Sequence, residues 1–334
     1  MDLTISLSQA EEAALTVAEI GELALIERLR PFCSEAVGDD AALMTVAAGY
    51  RLVVTTDLLV DTVHFSDRTT PPFTVGWRAA AANLSDLAAM GATPLGITVA
   101  LGLPGNTPWP WLEALYEGMA ACLSAYGGVI EGGDLCRAEQ RTVAITAMGQ
   151  VRPERVIRRD TAVPGMRVVV TGPHGASRAG LAVLLGEMAP SSAAQDWIRA
   201  HQQPVPRFDV VEQIERLTSG KARTIAGMDS SDGLANALLQ VSLCSQVGMV
   251  IERDRIPLPP DLSAAVGAET TLDWALYGGE DFELVLCLPP DLAEEVAQRG
   301  WAIAIGTTTN TGTVQLVSAD GLTNELTHQS FQHF

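Results

Sequence analysis

The chain reads as an α/β protein of two domains, and three observations carry that reading. It has 334 residues, more than one ordinary hydrophobic core organises. Runs rich in β-branched residues alternate with amphipathic segments along its length. The Arg- and Pro-rich stretch "VRPERVIRRDTAVPGMR" interrupts that alternation and reads as a connector. This puts one domain at 1–150 and a second at 151–334, with the boundary near 151–165.

Taken in order, residues 17–30 ("VAEIGELALIERLR") predict one amphipathic helix stopped by Pro31. "RLVVTT" (51–56) is β-rich and runs into Asp57. "TVGWRAAAANLSDLAAM" (74–90) predicts a helix closed by Gly91 and by Pro94 just beyond. "LGITVALGL" (95–103) reads as a buried strand. In 108–126, Leu112, Leu115, Met119 and Leu123 recur at helical spacing. "GVIEGGD" and "RTVAITAMG" read as short strands around a turn. The second domain begins with a strand at 167–171 and a helix near 176–187, then a polar stretch to about 207. A helix at 208–217, a strand at 223–227, a helix at 233–246 and strands at 282–288 and 301–306 follow.

Composition narrows the function. Hydrophobic residues make up 47% and charged residues 18%, which is globular. A formal charge of -19 argues against nucleic acid or an anionic membrane as partner. Bound divalent cations or a solvated acidic surface would account for the excess. The cysteines, Cys33, Cys122, Cys136, Cys244 and Cys287, form no C-x-x-C pair, as expected in a reducing compartment. The first residues lack a basic region followed by an apolar core, and no apolar run reaches membrane-spanning length, so a cytoplasmic setting is expected. Lys221 is the only lysine, and neither a phosphate-binding G-x-x-x-x-G-K-[ST] loop nor a G-x-G-x-x-G helix start is present. Phosphates, if handled here, meet metals, arginines and backbone amides.

Six clusters share a grammar in which an apolar or β-rich segment precedes an acidic residue among Gly, Ser or Thr. They are "VGDDAAL" (Asp39, Asp40), "VVTTDLLVD" (Asp57), "NLSDLAAMG" (Asp86), "EGGDLC" (Asp134), "AGMDSSDGL" (Asp229, Asp232) and "YGGEDFEL" (Glu280, Asp281). Carboxylates so placed suit Mg²⁺, which takes few protein oxygens and leaves room for water and phosphate. Simpler readings stand beside this one. Asp57 could end a strand, Asp232 could cap the next helix, and His64 could be an ordinary packed histidine. Asp86 resists such a reading, because it falls mid-helix among Ala, Leu and Met with Asn83 one turn earlier. The arginines Arg152, Arg155, Arg158 and Arg159 form a candidate phosphate clamp.

Together, "GDDAAL", "VVTTDLLVDTVHF", "NLSDLAAMGATPLG", "EGGDLCR", "MDSSDGL", "YGGEDFEL" and the terminal "HF" resemble the thiamine-monophosphate kinase family, in that family's order. The wider superfamily includes aminoimidazole ribonucleotide synthetase, selenophosphate synthetase and a hydrogenase maturation factor. The resemblance implies two α+β-type domains of the aminoimidazole ribonucleotide synthetase-like fold. It also implies a homodimer built on the N-terminal sheet, and transfer of the γ-phosphoryl group of ATP to thiamine monophosphate. By resemblance the first domain binds ATP and metal, and the second contributes metal and substrate residues.

By the same resemblance, Asp40, Asp57, Asp86, Asp134, Asp229 and Asp232 hold several Mg²⁺ ions, with Thr55 and Thr56 adding oxygens. A monovalent cation is a further candidate cofactor. Of these, Asp57, Asp86, Asp134 and Asp229 form the catalytic set. Tyr116, Gly133, Asp134, Arg159 and Ser231 match nucleotide positions, with Arg158 open as an alternative to Arg159. His64, Glu280 and Phe331 match substrate positions. Departures are the ending "SFQHF" and Ala176, where the family commonly has aspartate. Cys33 has no lysine near it, unlike the reactive cysteine of selenophosphate synthetase, and the chain ends in Phe334 rather than the cysteine of the hydrogenase factor. A purine-pathway synthetase and a silent nucleotide-binding homologue are the remaining rivals.

Overall fold

The computed structural model describes residues 14–35, 37, 41–189, 191–218 and 222–327. Asp39, Asp40 and Phe331 lie outside the described residues. The chain divides into two compact units: Met1–Thr45, Val54–Asn83 and Pro94–Met148 form one, and Val46–Val53, Leu84–Thr93 and Gly149–Phe334 the other.

Among the described residues, the first unit opens with helices α1 (Val17–Ile20) and α2 (Glu22–Leu29). The single helix expected over 17–30 is broken at Gly21, whose φ of 80° leaves the right-handed helical region. Strand β1 (Arg51–Val60) then leads through a loop to helix α3 (Pro72–Ala89), strand β2 (Thr93–Leu103) and helix α4 (Trp109–Tyr126). Strands β3 (Ile130–Arg137) and β4 (Thr142–Val151) complete a sheet of order β1-β4-β2-β3. Although β3 and β4 are consecutive in the chain, they are not paired. β3 runs parallel to β2, with Val99 opposite Gly133 and Ala100 opposite Asp134.

Helices α3 and α4 interlock through glycines. A Cβ on Gly76 would lie 1.9 Å from the Leu115 carbonyl oxygen, and one on Gly118 would lie 1.8 Å from that of Phe73. Only glycine permits backbones this close. Leu112, Leu115 and Met119 are fully buried beneath them.

The second unit is a seven-stranded sheet of order β11-β10-β7-β9-β5-β8-β6. Its strands are β5 (Arg167–Val170), β6 (Ala226–Asp229), β7 (Gly248–Glu252), β8 (Leu284–Leu288), β9 (Ile303–Thr309), β10 (Val314–Val317) and β11 (Thr323–Glu325). Among them β7 and β10 are parallel, and β5, β6, β8 and β9 pair antiparallel. The helices are α5 (Ala176–Leu184), α6 (Ala194–Gln202), α7 (Phe208–Thr218), α8 (Leu234–Ser245), α9 (Leu262–Val266), α10 (Ala268–Tyr277) and α11 (Pro290–Gln298). The polar stretch before residue 207 therefore holds a helix, α6, that sequence reading missed.

Alternation sorts the sheet's side chains into two cores. Val168, Val170, Val285 and Cys287 pack in one cluster with Leu234, Leu238 and Val241 of α8. Val169, Leu284, Leu286 and Leu288 pack in the other with Val210 and Ile214 of α7 and Val296 of α11. A strand buried on both faces reads as a continuous apolar run, which "LVLCL" does. Each such leucine contributes roughly 2 kcal/mol of burial. Among the described residues no helix is long and apolar enough to cross a membrane.

Candidate active site

In the first unit, Asp57 does not end a strand, because β1 continues three residues beyond it. The side chains alternate. Thr55 and Asp57 are part-buried on the same side as buried Leu59, whereas Thr56 shares the exposed side with Val54 and Leu58. The Thr56 hydroxyl pairs with that of Thr146 at 2.8 Å. Thr55 and Thr56, both expected to add oxygens to the bound ions, thus stand on opposite faces of β1. Asn83 is fully buried and makes two bonds: its Oδ1 accepts from the Asp57 N–H at 3.2 Å, and its Nδ2 donates to the Ala79 carbonyl at 2.9 Å.

Beyond β1 the chain turns sharply, with Thr62 at a φ of 66°. His64 sits on this turn. Its Nδ1 accepts from the Val60 N–H at 3.0 Å, so the neutral ring carries its proton on Nε2. Tyr116, Gly133 and Asp134 are brought together, lining one cleft of about 640 Å³ with Leu29, Cys33 and Val99. Tyr116 is buried against Phe32, with ring centroids 5.9 Å apart, and desolvation raises its phenol above the usual range. Gly133 has a packing reason of its own, since a Cβ there would meet the Val99 carbonyl at 2.0 Å.

In the second unit Asp229 ends β6 and is 1% exposed. Its carboxylate accepts from the Ser85 hydroxyl at 2.7 Å and from the Ser231 hydroxyl at 3.2 Å. Ser85 precedes half-buried Asp86 on α3 and is itself fully buried. Sequence reading passed over it, although a serine inside so apolar a helix was the available signal. His174 was also passed over. It is fully buried, its Nδ1–H donates to the Gly172 carbonyl at 3.1 Å, and its Nε2 accepts from the Ser230 hydroxyl at 3.1 Å. Burial lowers its pKa to about 4. Asp232 is not a helix cap: Gly233 takes that position, and the Asp232 carboxylate accepts from Asn236 at 3.4 Å.

The segment after α10 is conformationally unusual. Gly279, Glu280 and Phe282 all have positive φ, at 67°, 58° and 54°. For the two L-residues this costs about 1–2 kcal/mol each. The Glu280 N–H donates to the Ser231 carbonyl at 2.6 Å. Asp281 anchors the turn, its carboxylate accepting from the Gly175 N–H at 2.6 Å and the Ser177 N–H at 2.9 Å at the start of α5. Desolvation outweighs those bonds and raises its pKa to about 7. Buried His201 stands beside Glu280, its Nδ1 lying 3.1 Å from the Ser177 hydroxyl and 3.7 Å from a Glu280 carboxylate oxygen.

The arginine clamp does not assemble as a group. Arg152 bonds Tyr50 at 3.0 Å, Arg155 bonds Thr218 at 3.2 Å, and Arg158 grips Asp160 at 2.7 and 2.6 Å. Arg159 is exposed, with no ion pair among the described residues. Nor do three acidic, histidine or cysteine side chains converge on one point among the described residues.

Residues 38–151 match the family model of the AIR synthase related protein, N-terminal domain, and residues 163–318 that of its C-terminal domain. The thiamine-monophosphate kinase of Synechococcus elongatus is 49% identical over 324 residues, spanning 96% of this chain and 98% of that protein. Among solved structures, a thiamine-monophosphate kinase from Stenotrophomonas maltophilia aligns with a TM-score of 0.76 at 31% identity, covering 89% of this chain and 96% of the other. The complex of AaThiL with AMPPCP and TMP aligns with a TM-score of 0.76 at 29% identity, covering 96% and 99%. The fold is thus the two-domain AIR synthase-type architecture, and the chain belongs to the thiamine-monophosphate kinase family.

Proposed function

We infer that this chain transfers the γ-phosphoryl group of ATP to thiamine monophosphate. A phosphate oxygen of the acceptor bonds to the γ-phosphorus, the bond to the β–γ bridging oxygen breaks, and thiamine diphosphate and ADP leave. The observation that carries this is the 49% identity to a curated kinase over nearly the whole of both chains. A phosphate monoester has a second pKa of roughly 6, so the acceptor is already an anion near neutral pH and needs no strong base. The work left to the protein is holding two anions in line and relieving their repulsion.

Mg²⁺ fits the donors available here, which are carboxylate, hydroxyl and backbone oxygens. The lack of a three-carboxylate cluster among the described residues agrees with that ion, which takes one or two protein carboxylates and fills its shell with water and phosphate. In this reading Asp57, Asp86, Asp134, Asp229 and Asp232 hold several ions. Thr55 and Thr56 add oxygens and Asp40 a further carboxylate. When bound, the ions neutralise charge on the transferred phosphoryl group. Ser85 and Ser231 fix the Asp229 carboxylate in place for that role.

Tyr116, Gly133, Asp134, Arg159 and Ser231 contact the nucleotide. Arg159 is favoured over Arg158, which is already occupied by Asp160. His64, Glu280 and Phe331 contact thiamine monophosphate. A homodimer through the first unit's sheet is supported by Val54 and Leu58, apolar and more than half exposed on one face of β1. The free state of all five cysteines supports a cytoplasmic setting.

The test is ADP and thiamine diphosphate formation from ATP, Mg²⁺ and thiamine monophosphate, beside Asp86→Asn. Product from the wild type alone supports both the reaction and the metal assignment. Product from both removes Asp86 from the catalytic set, and ATP binding without turnover makes the chain a silent homologue.

A further inference from the structure

The loop that carries His64 is held from outside, chiefly by one side chain. Arg141 lies 80 residues from Asp61 in the chain and just ahead of β4. Its Nε donates to Asp61 at 2.8 Å, and its two terminal nitrogens grip both oxygens of Asp67 at 2.8 Å each. One guanidinium thus ties together the two ends of the His64 loop. It also stacks over Trp111, 4.8 Å from the ring centroid. The preceding residue joins in, because the Gln140 amide donates to the Asp61 carbonyl and, at 3.1 Å, to the Thr62 hydroxyl. The Asp61 N–H closes the set by donating to the Arg141 carbonyl at 3.0 Å.

We propose that Arg141 is a positioning residue for the reaction, holding the Asp61–Asp67 loop so that the His64 ring is fixed in one tautomer and orientation. The proposal rests on the reading of His64 as a substrate contact. The loop's own bonds are local: the Thr62 N–H donates to the Phe65 carbonyl at 2.7 Å and the His64 N–H to the Val60 carbonyl at 2.9 Å. Thr62 sits in the left-handed region, which a β-branched residue avoids. Only Phe65, 3% exposed and 6.4 Å from Trp111 by ring centroid, anchors the loop by apolar burial. A bidentate guanidinium supplies direction as well as attraction, which an ammonium could not copy. The Arg141 side chain is 16% exposed and that of Asp61 13%, so this pair is not an ordinary surface ion pair.

Two readouts test this with the whole protein: imidazole ¹⁵N chemical shifts of His64, and steady-state kinetics with ATP and thiamine monophosphate. The variants are Arg141→Ala, Asp67→Asn, His64→Ala and Arg141→Ala/His64→Ala. In the wild type the ¹⁵N shifts should report Nδ1 unprotonated and Nε2 protonated, and in Arg141→Ala they should move toward a tautomer average. KM for thiamine monophosphate should rise on the order of 10-fold, with KM for ATP unmoved, as when a supporting contact is removed. That rise should vanish in the His64→Ala background, because Arg141 acts through His64.

Unchanged ¹⁵N shifts in Arg141→Ala, or a penalty that persists without His64, overturns the proposal. A His64→Ala variant with normal KM overturns the reading of His64 instead, while the ¹⁵N shifts still decide whether Arg141 fixes the ring. Should Arg141→Ala fail to fold, exposed Asp67→Asn removes half of the bidentate grip and is judged by the same two readouts.

Discussion

Two turns of this chain, one in each unit, carry a residue proposed to meet the acceptor, and they are held by opposite physics. The Asp61–Asp67 loop is closed by a guanidinium reaching in from just ahead of β4, between carboxylates of which one, Asp67, is 70% exposed. The Gly279–Glu283 turn is held from within by Asp281, a desolvated carboxylate set against the backbone amides that open α5. The first arrangement keeps its charges ionised, and Arg141 holds the Asp67 carboxyl below the usual range. The second pushes its carboxyl up to about 7 and sustains two L-residues at positive φ. A charge clamp can weaken by degrees. A buried acceptor for otherwise unpaired amides cannot, so the two turns should fail differently.

The largest effect is expected at Asp281. Replacement by alanine leaves the Gly175 and Ser177 N–H groups without their acceptor and releases the strained turn. The loss should be about 3 kcal/mol, combining an unsatisfied buried donor pair with the loss of a helix cap. Asp281→Asn keeps one acceptor oxygen and should lose about 1 kcal/mol. Urea denaturation measures both, and equal losses would mean that the carboxylate does not serve two amides.

These two turns also mark what the sequence could and could not disclose. The aspartates and glutamates announced themselves through their Gly, Ser and Thr neighbours, and helix α3 through its alanines and the Gly91 stop. The opposed faces of Thr55 and Thr56 were legible too, since strand alternation alone separates them. Arg141 was not, because its partners are dozens of residues away and nothing local distinguishes it from a solvated arginine. The same holds for His174, whose meaning depends on Ser230 lying beside it. Strand order was hidden likewise: β3 and β4 are adjacent in the chain, and only the parallel register of β3 on β2 reveals that β2 lies between them. Break at Gly21, by contrast, needed one residue's φ and no long-range contact.

Acid should separate the buried groups near the second turn. The pKa of His174 falls from 6.5 to about 4 in the folded chain, so between those values the unfolded chain binds more protons. Stability therefore drops as pH falls through that window, by about 3 kcal/mol at most. The pKa of Asp281 rises from 3.8 to about 7, and its contribution has the opposite sign. Between 3.8 and 7 the folded chain binds more protons, and stability drops as pH rises. The two contributions are of similar size, since both groups are desolvated. Wild-type stability should accordingly change little between pH 4 and 7 from this pair, and Asp281→Asn should unmask the full His174 dependence. Parallel profiles for the two proteins would refute the opposed signs.

Strain in the first turn can be released without touching its charges. Thr62→Gly removes the Cβ from a φ of 66°. It also loosens the unfolded chain, so a net gain of about 0.5–1 kcal/mol is expected. Thermal unfolding measures it. A loss would show that the Thr62 hydroxyl, through its bond from Gln140, is worth more than the backbone conformation costs.

Salt gives the smallest effect and the sharpest contrast. The Arg141–Asp67 pair faces solvent on its Asp67 side, so double-mutant coupling should be about 0.5–1 kcal/mol at low ionic strength. Near 1 M salt the screening length falls to about 3 Å, shorter than most distances between exposed charges, and at least half of that coupling should disappear. Asp281 bonds amides rather than a mobile cation, and its nearest charges are enclosed with it. The cost of Asp281→Asn should therefore be the same at both salt concentrations. Equal salt sensitivity in the two turns would mean that the Arg141 clamp is as enclosed as Asp281, and that its grip on the His64 loop depends on burial rather than on exposed charge.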